Sequence, residues 1–141
     1  MKPIFFLLLF FNCLYHYAPA QDIQKENWDE KPVIYQISEM MKQEPAIIIL
    51  DKRRMEFADE KENLVMYKTL HRIVHINDDK GIESYNRIYL PVSSNADIID
   101  MKARTILPNG KTIELDKNAI KDITEDGQVY KIFAMEGLVE G

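Results

Sequence analysis

The chain has 141 residues, with 18 Lys and Arg against 23 Asp and Glu and a formal net charge of −5. That acidic balance excludes a general nucleic-acid-binding role, which needs a basic face to neutralise phosphates. Its one cysteine, Cys13, excludes an internal disulfide, and no Asn-x-Ser/Thr acceptor invites a glycan.

Met1-Lys2-Pro3 places a single positive charge ahead of an apolar run from Ile4 to Phe11. These are the first two regions of a secretory signal peptide. Ala18 and Ala20 supply the small residues that signal peptidase requires, so cleavage is expected before Gln21. A spanning helix needs about 20 apolar residues, and this run breaks at Asn12, with His16 and Pro19 soon after. A lipidated cysteine would follow a small residue, whereas Cys13 follows Asn12. The expectation is export to the periplasm, the outer envelope or the medium, with no membrane span after cleavage. Cleavage leaves 121 residues at a charge of −6, because Lys2 departs, and it removes the only thiol. That length suits one domain with its own core.

Residues 21–45 read as a lead-in and a short helix. Gln21 to Lys31 is polar and expected to be flexible, with Trp28 as its anchor. From Pro32 to Lys42, the residues Val33, Ile37, Met40 and Met41 recur at helical spacing until Pro45 ends the pattern. Residues 46–141 read as a β-rich domain. Ala46 to Leu50 is a continuous apolar run, suited to a strand buried on both faces and continuing to Phe57. Asp59 to Asn63 predicts a turn, and Leu64 to Ile76 a long alternating strand.

Asn77-Asp78-Asp79-Lys80-Gly81 predicts a hairpin turn, with Gly81 supplying a positive φ. Tyr85 to Leu90 reads as a strand ended by Pro91, and Ser93-Ser94-Asn95 as a loop. Ile98 to Leu107 alternates again, then Pro108, Asn109 and Gly110 turn the chain into Thr112 to Leu115. Short strands near 120–123 and 128–133 complete the pattern. Strands at close spacing with no helices between them predict a mainly β, antiparallel, sandwich-like domain with one short amphipathic helix near the mature amino terminus.

No constellation selects a chemistry. His71 and His75 are four apart, which on a strand separates them by about 13 Å, too far for one metal. The 77–81 segment lacks the acidic spacing of a calcium loop. Lys52-Arg53-Arg54 reads as a solvated strand end rather than an anion site, and Ser93-Ser94 stands in no nucleophile turn. The expectation is no catalytic residue, no metal ligand and no cofactor. Arg104, on a strand, is the candidate interaction residue, with Glu114 of the returning strand as its expected partner.

Residues His71 to Gly141 resemble the domain of unknown function 3857, which precedes a transglutaminase-like domain in many exported bacterial proteins. Three features carry the likeness: Gly81 before Tyr89-Leu90-Pro91, Ala103-Arg104-Thr105 running into Pro108-Asn109-Gly110-Lys111, and the closing Glu136-Gly137 and Glu140-Gly141. The resemblance implies an accessory domain beside a Cys-His-Asp domain. It implies scaffolding or presentation of a peptide or glycan, with a transglutaminase-like domain as partner. It also implies that further strands follow Gly141, so that this chain alone exposes an edge and associates. The sequence supplies no nucleophilic cysteine beyond Cys13, so the activity is not carried over. The alternative is a stand-alone secreted module that binds a protein or a glycan.

Overall fold

The computed structural model describes residues 23–28, 31–61 and 63–140. The expected signal peptide, with Ala18 and Ala20, lies outside them. Among the described residues the protein is mainly β, and every strand pairs antiparallel. β1 (Ala46–Glu60) and β2 (Asn63–Ile76) form a long two-stranded ribbon. α1 (Asp79–Tyr85) follows, then β3 (Arg87–Val92). β4 (Arg104–Ile106) pairs with β5 (Thr112–Glu114) in a small hairpin. β6 (Lys121–Glu125) and β7 (Gln128–Ala134) join β3 in a three-stranded sheet of order β3-β7-β6.

The turns follow from their residues. Asp126 and Gly127 take φ of 50° and 77° between the paired Glu125 and Gln128. This two-residue loop matches the right-handed twist of its strands. Gly110 takes φ 79°, while Asn109 Oδ1 accepts from Lys111 N at 3.0 Å, so the Pro108–Gly110 turn forms as expected.

Five expectations are corrected. The helix over residues 32–42 is absent; only a 3₁₀ turn, Met41–Gln43, appears there. Its apolar stripe has nothing to pack against, with Met40 74% exposed, and so short a helix is marginal without packing. Gly81 is not a hairpin glycine. It lies buried in the first turn of α1, where Asp78 caps the helix by accepting from Gly81 N at 2.9 Å. A Cβ there would stand 2.1 Å from the Pro45 carbonyl oxygen, so the residue is small because the helix rests on backbone.

The strand expected from Tyr85 to Leu90 starts two residues later and continues through Pro91. On the edge strand β3, proline costs no ladder bond. The strand expected over residues 98–107 shrinks to Arg104–Ile106, since only that stretch meets a partner.

β1 is not buried on both faces. A bulge between Ile48 and Leu50 shifts its register, and Ile48 stays exposed. Among the described residues the buried core is small: Ile76 at the end of β2, Phe133 on β7, and Thr105 on β4.

Candidate functional site

Two of the three features that carried the family likeness converge on one place. Thr105 is buried, and its hydroxyl donates to the Glu136 carbonyl at 2.7 Å. Gly137, with φ 69°, lies where a Cβ would meet Ile113 Cδ1 at 2.2 Å. The Ala-Arg-Thr strand, the returning strand and the Glu-Gly ending are therefore one packed cluster. Its chemistry is architectural: a buried hydroxyl satisfied by backbone, and a glycine where no side chain fits.

Arg104 sits opposite Glu114 in the β4–β5 register, as expected. Its guanidinium lies over the Trp28 ring, 4.6 Å from the centroid. Sequence reading had Trp28 as an anchor but no means of naming its partner, because the two are remote in the chain.

The lead-in is held more firmly than its polarity suggests. Glu26 Oε1 lies 3.0 Å from His71 Nδ1, and both Glu26 oxygens accept from Lys52 Nζ at 3.0 Å. Arg54 hydrogen-bonds Gln24 and pairs with Glu56 at 3.0 Å. Hydrogen bonds from His71 and then Lys52 hold the Glu26 carboxyl below the ordinary carboxylate range. On the opposite ribbon face, Arg53 and Arg72 share Asp51, at 3.0 and 2.7 Å, and together hold its carboxyl at about 2.

The Lys52-Arg53-Arg54 run is thus fully engaged with carboxylates rather than open to an anion. His71 and His75 sit on the same strand face, and no group of three or more metal-ligating side chains occurs among the described residues.

An aromatic face lies elsewhere, on the three-stranded sheet. The β3–β7 register puts Tyr89, Pro91, Tyr130 and Ile132 on one face. Ile123, opposite Tyr130 on β6, joins them. Tyr89 and Tyr130 meet edge to face, with centroids 6.4 Å apart, and Tyr89 remains exposed. Such a face offers apolar rings and hydroxyls together, the mixture that suits peptide or sugar contacts. The alternation of Tyr89 and Pro91 was visible in the sequence, but not the partner strand that completes the face.

No curated protein and no solved structure matches the chain. The family model of DUF3857, a domain of unknown function with solved structure, matches residues 65–133. The match runs from β2 to Phe133 on β7 and takes in Gly81, the Thr105 strand and the turn at Gly110. Residues 65–133 are therefore similar to the DUF3857 family, as the resemblance of the 71–141 segment led us to expect.

Proposed function

We propose that this protein is a non-catalytic accessory domain of an exported, transglutaminase-like protein, and that it holds a peptide or glycan on the Tyr89–Tyr130 face. The observation behind the reading is that face: two tyrosines in contact on a sheet, flanked by Pro91, Ile123 and Ile132, with Tyr89 open to solvent. Aromatic side chains supply large contact area at little entropic cost, and a rigid sheet presents them in fixed positions. Export agrees with Lys2, the Ile4–Phe11 run, and Ala18 and Ala20.

The test is an NMR titration with soluble cell-wall glycan fragments and a peptide library. Resonances of Tyr89, Tyr130 and Ile132 are expected to shift together, and Tyr89→Ala to abolish the shift. Binding that leaves these three unmoved, or no binding in either ligand class, defeats the reading.

A further inference from the structure

The β1–β2 ribbon leaves one face uncovered. Residues paired across an antiparallel ribbon point to the same side, so the register sorts the ribbon in rows. From the tip inward, the outer face carries Asp59 with Leu64, Phe57 with Met66, Met55 with Lys68, and Arg53 with Leu70. The inner face carries Glu56, Arg54, Lys52 and His71, the residues that hold the lead-in. The outer five, Met55, Phe57, Leu64, Met66 and Leu70, are 46% to 69% exposed. Apolar patches of this kind on soluble proteins mark contact surfaces.

We propose that this outer face is an interface for a second copy of the chain, packed face to face with its strands reversed. The rows decide the occupant, because the pattern is its own complement under that reversal. A two-fold axis across the ribbon, between the Phe57 and Met55 rows, sets Asp59 of each copy over Arg53 of the other, where Arg53 and Arg72 share the single carboxylate of Asp51 and leave one net positive charge. Leu64 then meets Leu70, Phe57 meets Met55, and the Lys68 stem lies along Met66.

Packing with the strands running the same way, about an axis along the ribbon, would instead set Asp59 over Leu64 and Arg53 over Leu70, charged groups against aliphatic side chains. The four rows span about 20 Å at two residues per step, so the contact is small and the dimer weak and reversible. It involves none of the Tyr89–Tyr130 face and stands independently of the function proposed above.

The test is sedimentation velocity of the full chain over a concentration series, with circular dichroism to confirm folding of each variant. The wild type is expected to show a monomer–dimer equilibrium. Asp59→Arg and Arg53→Asp are each expected to weaken dimerisation by about tenfold, and the double exchange to restore it to within about threefold. Mixed chains carrying Asp59→Cys or Arg53→Cys, each with Cys13→Ser, are expected to cross-link as heterodimers on mild oxidation. A monomer at every concentration means that a different partner covers the face, and overturns the proposal. So does association indifferent to both exchanges, which would point to the free strand edges.

Discussion

The ribbon and the carboxy-terminal region solve the same problem in opposite ways. Both are antiparallel and rich in apolar residues. The β3–β7 segment buries Phe133 and Thr105 and locks Gly137 against Ile113. The ribbon pairs over 14 rows, yet leaves Phe57, Leu64 and Met55 in solvent and buries only Ile76, at its root. Backbone pairing alone fixes a ribbon's register; it does not create a core. An isolated two-stranded ribbon is marginal in water, and this one is supported by its root, by the lead-in on its inner face and, on our proposal, by a second copy on its outer face.

Two phenylalanines give the sharpest contrast. Phe133→Ala should destabilise the protein by about 3–5 kcal/mol, the range for emptying a buried aromatic site. In dilute solution Phe57→Ala should stay within about 0.5 kcal/mol, as exposed substitutions do. Denaturant unfolding followed by far-ultraviolet circular dichroism measures both, and comparable losses would break the comparison.

At the joint between the regions, Gly81→Ala should cost about 2–3 kcal/mol, because its Cβ would press on the Pro45 carbonyl. Next in size, Thr105→Val should cost about 1–2 kcal/mol by leaving the Glu136 carbonyl without its donor.

Smallest is an acid effect on the ribbon's inner face. The folded Glu26 carboxyl titrates below its unfolded value of 4.5. Its contribution is therefore fully present above pH 4.5 and is lost as pH falls through the folded value. Trp28 emission should shift on acidification below pH 4.5, and Glu26→Gln should flatten that response. An unchanged profile in the variant would assign the shift to other carboxylates.

Much of this architecture was legible because alternation is a local signal. β1, β2, β7 and the Pro108–Gly110 turn follow from patterns a few residues long. What misled was local evidence lacking its tertiary context. Val33, Ile37 and Met40 have helical spacing but no surface to cover, so no helix forms. Asn77 to Gly81 has the composition of a turn, yet Asp78 caps a helix there, and Gly81 is required by a distant carbonyl. The Asp126-Gly127 dipeptide between two short strands is a local hairpin signal of the same kind. Of the site, Arg104 was legible as a residue of interest, but its stacking on Trp28 depends on a contact between segments 76 positions apart in the chain. The tyrosine face and the outer ribbon face were likewise invisible until register assigned sides.

The hold on residues 23–28 has a practical consequence. Glu26 grips the ribbon through His71 and Lys52, and two residues later Trp28 lies against Arg104 on the β4–β5 hairpin. A stretch that composition marks as expendable is therefore a stitch drawn through both halves of the molecule. Trimming the chain at Pro32, the natural choice for anyone tidying a polar tail, would cut the thread. The loss should appear first as independent motion of ribbon and hairpin, well before either one unfolds.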